Sequence, residues 1–176
     1  MALAEELERI AAATEADAVL PAEAHPGDRV YVLAFDGDGG RTWLAVDAAG
    51  APVGDRRRVR EAVSIIALCE LAEETAAGGD LDELLAQLAA LRVTENPPGL
   101  EEAEAATRRL QRVLGTPPTL ATPARLDEIG VATRELELAL GSASQGSPFA
   151  AAMRAATEVV ESLWSDVERS YRIPLS

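Results

Sequence analysis

The sequence predicts a mainly α fold: a helical bundle of about six helices with a small antiparallel β-hairpin or three-stranded meander near the N-terminus. Three observations lead there. Apolar residues make up 48% of the chain but aromatics only 3%, with Ala and Leu dominant, which suits close-packed helices better than a β-sandwich. Residues rich in β-branched and aromatic types concentrate in 28–54. From Arg56 onward, apolar stripes at helical spacing are separated by short Pro/Gly breaks.

Taken in order, Leu3, Leu7 and Ile10 with Ala11 mark one face of an N-terminal helix within 1–20. "LPAEAHPGD" interrupts it with two prolines and a glycine. "RVYVLAF" and "RTWLAV" read as a strand pair, and "DAAGAPVGD" as a further bend with a short third strand around Val53. The stretch 56–176 is then read as the bundle. "RRRVREAVSIIALCELAEETA" carries an apolar arc wide enough for a buried helix, with "GG" as its stop. Asp80 and Glu83 form a candidate capping box ahead of Leu81, Leu84, Leu85, Leu88 and Leu91. After "ENPPG", the next stripe is Ala103, Ala106, Leu110, Val113 and Leu114. "GTPPTLATP" precedes the helix of "ARLDEIGVATRELELAL". After "GSASQGSP", Ser147 and Pro148 open a last helix of about 24 residues, striped by Phe149, Met153, Ala156, Val160, Leu163, Trp164, Val167 and Tyr171. Joints this short favour antiparallel neighbours. A length of 176 residues predicts one domain, 1–176, able to bury about 70% of its extended surface.

Charge narrows the function classes. The net charge is −14 and every basic residue is Arg, so the surface repels phosphate backbones and nucleic-acid binding is not expected. No run approaches the roughly 18 apolar residues that span a bilayer, and the N-terminus is acidic where a signal peptide is basic. A single cysteine excludes an internal disulfide. A cytoplasmic protein without membrane association is expected.

The chemical motifs are few. In "FDGDGGRTW", Asp36 and Asp38 match two early ligand positions of a calcium loop, but Gly40 and Arg41 fall where a ligand and the glycine belong. The loop leads into a strand, not a helix, and no Lys exists for a P-loop. Asp-Gly and Gly-Gly are hairpin-turn residues, so a turn is expected and no metal or cofactor site. His25, the only histidine, precedes a proline in a loop. Cys69 lies among Ile66, Leu68 and Ala72, where a thiol is buried and inert. Glu70, Glu73 and Glu74 share a helix side as a solvated acidic face, and no Glu-x-x-His accompanies them.

Two features stand out. Arg56, Arg57, Arg58 and Arg60 open a helix in an acidic protein; together with free backbone N–H groups they match a phosphate or carboxylate. The competing reading is pairing with carboxylates, such as Arg57 with Glu61 one turn on. A second basic group, Arg108, Arg109 and Arg112, is expected to be self-paired through Glu104 and Arg108. The other feature is the last helix: its stripe is either core or, at the distal end, an interface anchored by Trp164 and Tyr171.

With no nucleophile–base pair, metal set or nucleotide loop, no catalytic residue is assigned. The leading expectation is a non-enzymatic cytoplasmic interaction or regulatory protein acting through helical surfaces, as a homo-oligomer or with a protein partner. The alternative is a small-molecule domain that holds an anionic or phosphorylated ligand at Arg56–Arg60. A carboxylate- and arginine-based enzyme comes third.

Overall fold

The computed structural model describes residues 2–76, 80–115, 119–141 and 146–176. The expected stop at Gly78–Gly79 and parts of the "GTPP" and "GSASQ" breaks lie outside them. The elements in chain order are α1 (Leu3–Thr14), β1 (Ala18–Glu23), β2 (Arg29–Gly37), β3 (Gly40–Val46), α2 (Arg56–Ala76), α3 (Leu81–Thr94), α4 (Leu100–Leu114), α5 (Pro123–Ala139) and α6 (Pro148–Arg169). The protein is mainly α with a small antiparallel meander. Five helices, α2 to α6, build the helical part among the described residues, not about six, because α1 packs on the sheet.

Contacts gather in two compact units. The first comprises Met1–Cys69, Pro118–Arg125 and Thr157–Ser176. Its sheet has the order β1-β2-β3, with both pairs antiparallel. The strand pair of the sequence reading is β2 and β3, but the third strand is β1, ahead of the hairpin, and not the segment around Val53. That segment contributes one bridge, Val46 to Pro52. The N-terminal helix accordingly stops at Thr14, short of residue 20: Glu15 takes a left-handed φ of 58° and closes the last turn onto the Ala11 carbonyl. Pro21 hid β1 from the sequence. It is tolerated because Pro21 accepts from the Ala121 N–H, on the outer side away from β2, so its missing N–H costs no bond to β2.

Alternation along β2 buries both faces of the sheet. Tyr31, Leu33 and Phe35 meet Leu7 and Ile10 of α1, while Val30, Val32 and Ala34 on the opposite face are also buried. Each fully buried Val or Leu here contributes about 1.5–3 kcal/mol relative to exposure. Glu6 is buried with them, and its carboxylate accepts from the Tyr31 hydroxyl and faces Arg29 Nη1 at 3.8 Å. A buried acid without such partners would be costly.

"FDGDGG" is a hairpin turn, with Gly37 opposite Gly40 and only Asp38 and Gly39 between them. Of these residues only Gly40 takes a positive φ, 106°. The Asp-Gly and Gly-Gly pairs were both expected to supply positive φ; the second does so, through Gly40, which fits a type I turn closed by a glycine bulge.

The second unit comprises Glu70–Pro117 and Leu126–Ala156. Its core joins Ala72, Ala76, Ala106, Leu110, Val113, Ile129, Ala132, Leu136 and Phe149, residues contributed by α2, α4, α5 and α6. A smaller cluster joins Leu88 of α3 to Leu100 and Ala103. Asp80 caps α3, accepting from the Asp82 and Glu83 N–H groups at 3.0 and 3.1 Å. Of the α3 leucine stripe only Leu88 is buried. Gly130 lets α5 approach Phe149: a Cβ there would stand 3.4 Å from its Cε1. Ser147 caps α6 through the Ala150 N–H, as expected, and Glu137 takes the Phe149 N–H at 3.1 Å.

Candidate functional site

The first turns of α2 carry the four arginines, and the structure separates them. Asp55 occupies the N-cap, where its Oδ1 accepts from the Arg57 and Arg58 N–H groups at 3.0 and 3.4 Å. The backbone donors expected to await an anion are therefore already used. Arg56 pairs with Glu168. Arg58 donates through Nη2 and Nε to Asp28 at 2.6 and 3.3 Å, and that hydrogen bond raises its pKa further. Arg60 reaches Glu161 at 2.5 Å and lies over the Trp164 ring at 5.8 Å. Arg57 pairs with Glu61 at 3.1 Å, the one-turn pair anticipated from spacing.

Arg57 and Arg60 nonetheless face one cleft. Together with Glu61, Ser64, Ile65 and Leu68 they form a single helical stripe at i, i+3, i+4, i+7, i+8 and i+11. Ala24 and His25 from the loop after β1, and Pro123 at the start of α5, complete a cavity of about 450 Å³. Its floor is apolar (Ala24, Ile65, Leu68, Pro123) and its rim carries charge. His25 Nε2–H donates to Glu61 Oε2 at 2.7 Å, while Arg57 Nε–H donates to Glu61 Oε1. These two donors, His25 first, hold the Glu61 carboxyl below its ordinary range. The Arg57 side chain is 84% exposed, so its guanidinium remains free to re-aim.

His25 and Glu61 were not picked as site residues from sequence. The signal that marks them is the α2 stripe, which runs from charged at Arg57 to apolar at Leu68; it identifies a lining face but not the loop opposite. Trp164 and Tyr171, the two anchors of the interface alternative, occupy different settings. Trp164 is 2% exposed inside the first unit. Tyr171 lies beyond α6, which ends at Arg169, so the seven-residue spacing does not put the two on one helix face. The chain at Tyr171 runs beside Trp43 of β3: Trp43 N–H donates to the Ser170 carbonyl at 3.1 Å and Arg172 N–H to the Trp43 carbonyl at 2.8 Å. The Tyr171 hydroxyl accepts from the Ala45 N–H at 2.6 Å and donates to the Val53 carbonyl at 2.9 Å.

The remaining candidates have local partners. Asp36 pairs with Arg41 at 2.8 Å, which holds its carboxyl below the usual range. Cys69 is buried, with Sγ 3.6 Å from the Thr122 carbonyl. In the second unit Glu104 pairs with Arg92 at 2.9 Å and not with Arg108, because Glu104 lies on the buried side of α4. Arg109 instead grips Glu135 at 2.6 and 2.7 Å. Among the described residues no three His, Cys, Asp or Glu side chains gather as a metal site, and no helix is long and apolar enough to cross a membrane.

Comparisons with models of known protein families, with curated proteins and with solved structures return no match.

Proposed function

We propose that the first unit binds a small organic anion in the cleft on α2. One observation carries this reading: an apolar floor of Ala24, Ile65, Leu68 and Pro123 stands beside a rim of side-chain N–H donors from Arg57, Arg60 and His25, with Glu61 among them. A cavity of about 450 Å³ lies within the range of small-molecule sites, which are mostly apolar with a few converging polar groups. The apolar floor favours the body of the ligand, and the guanidinium forks favour its carboxylate or phosphate head. This narrows the Arg56–Arg60 group of the sequence reading to Arg57 and Arg60.

The test uses hexanoate and hexyl phosphate, with hexanol as the neutral control. A ligand at a hundredfold excess over its dissociation constant stabilises the fold by about 2.7 kcal/mol, and a chain of this size gains about 2–4 °C per kcal/mol. At least one anion is expected to raise the melting temperature by several degrees where hexanol does not. The gain should vanish in Arg57→Ala/Arg60→Ala and persist in Arg58→Ala, whose side chain is engaged with Asp28. No shift in the wild-type protein, or an equal shift in the double variant, refutes the reading.

A second reading, association with a protein partner or another copy of the chain, draws support from the second unit. Val93, Leu138 and Leu140 are 86%, 53% and 44% exposed there. Ala139, between the two leucines, packs against the Leu88–Leu100–Ala103 cluster, and Leu91 follows Leu88 by one turn. Large apolar groups left exposed favour docking over solvent where they form one patch.

A further inference from the structure

We infer that Glu61 is an internal substitute for the ligand's head group, and that the ligand is a carboxylate which binds by displacing it. The inference rests on the anion-binding reading of the cleft and adds the ligand's chemistry and its competitor.

The geometry is that of a bound carboxylate. Two oxygens of one planar group are divided between two donors: Oε2 takes His25 Nε2–H at 2.7 Å and Oε1 takes Arg57 Nε–H at 3.1 Å. Both donors line the cleft, and so does Glu61 itself. The pair of donors thus shows what it accommodates: a flat, two-oxygen anion, with an apolar floor next to it for the body attached to that anion. A phosphate monoester is tetrahedral and carries more charge than a carboxylate; what sets the carboxylate apart here is its two coplanar oxygens, one for the Arg57 Nε–H and one for the His25 Nε2–H.

Exchange is feasible because the three groups are not locked in place. The His25 side chain is 60% exposed, that of Arg57 84% and that of Glu61 30%. Glu61 swings out by rotating its own side-chain torsions, with no change in the helix. Arg60, held by Glu161 at 2.5 Å, stays at the rim throughout. The tethered carboxylate has a high effective concentration at the donors, so it lowers the apparent affinity for any free one. Apparent affinity falls in proportion to the fraction of molecules whose site is open. A cradle open about one-tenth of the time binds roughly tenfold more weakly than one permanently open.

The experiment titrates hexanoate into the wild-type protein, Glu61→Gln and Glu8→Gln by calorimetry. Gln keeps the length and polarity of Glu61 but surrenders His25 and Arg57 to the ligand. Glu8→Gln removes the same charge from α1, where it is exposed. The expected result is a roughly tenfold tighter dissociation constant in Glu61→Gln, no change in Glu8→Gln, and a smaller gain for hexyl phosphate than for hexanoate. Wild-type binding without a gain in Glu61→Gln overturns the exchange and leaves the cleft standing. An equal gain in Glu8→Gln, or an equal gain for the phosphate, also overturns it. Absence of binding in all three proteins overturns both this inference and the function it rests on.

Discussion

Replacing Tyr171 by Phe removes one oxygen and two hydrogen bonds while leaving the ring in place. The hydroxyl stands between two backbone groups on the outer side of β3, accepting from Ala45 N–H at 2.6 Å and donating to the Val53 carbonyl at 2.9 Å. The neighbouring link runs the opposite way, from Val53 N–H to the Ala45 carbonyl at 2.8 Å, and so does not serve that amide. A typical hydrogen bond contributes about 1 kcal/mol net, and a stranded buried donor costs about 1–3 kcal/mol. Tyr171 is only partly buried, so water replaces some of what is lost. The expected destabilisation is about 1–2 kcal/mol. Urea unfolding should show a lower midpoint with an unchanged slope. Alkaline pH supplies a second check. Burial raises the Tyr171 pKa above its ordinary 10.0, with the Ala45 bond opposing. The folded state therefore retains the proton longer than the unfolded chain does. Stability from the hydroxyl is complete below the unfolded pKa and lost as pH climbs through the folded one. The gap between wild type and Tyr171→Phe should narrow above about pH 10. A variant within about 0.3 kcal/mol of wild type at neutral pH, or a gap constant through alkaline pH, refutes the bridging role assigned to this hydroxyl.

Two further outcomes are expected. Leu110 is fully buried in the second unit, so Leu110→Ala should cost about 2–5 kcal/mol by calorimetric or urea unfolding; a loss under 1 kcal/mol, roughly a surface effect, contradicts the core drawn around it. If the exposed apolar groups of the second unit mediate self-association, sedimentation should show an oligomer that Val93→Asp/Leu138→Asp returns to monomer with its helical signal intact. A wild-type monomer at micromolar concentration rules that out.

What the sequence disclosed followed from periodicity. The bounds of α2 are those of the apolar arc, and the stripe of α4 from Ala103 to Val113 is buried as spaced. The β2–β3 hairpin was legible from alternation and its glycines. β1 was not, because "AVLPAE" carries a proline whose acceptability depends on Ala121, a hundred residues further along the chain. Tyr171 fits the α6 period by spacing alone; its removal from the helix is decided by open hydrogen-bonding positions on β3, which no local pattern reveals. The site behaves similarly. Four adjacent arginines drew notice as a set, yet each has its own carboxylate, and the pairings of Arg58, Arg60 and Arg56 join residues 30, 101 and 112 positions apart. Only Arg57 to Glu61, one helical turn, was within reach of sequence reasoning. His25 entered the cleft through a loop contact, the kind of proximity that composition does not encode.

The three-stranded sheet has two outer margins, and each is partly covered by a segment that is not a strand. Along β1, Ala121 takes the Glu23 N–H and gives its own to Pro21, while the proline offers no donor at all. Along β3, Ser170 and Arg172 hold Trp43, and Tyr171 with Val53 holds Ala45. Exposed strand margins are where one chain recruits another into a growing ribbon. Here the guards come from a loop and a tail that are not strands themselves, so they cover these positions without adding a new margin. The tail thus has a protective role that outlasts any contribution to stability: shorn of the residues from Ser170 onward, a folded sheet would offer the amides of Trp43 and Ala45 as a template for its neighbour.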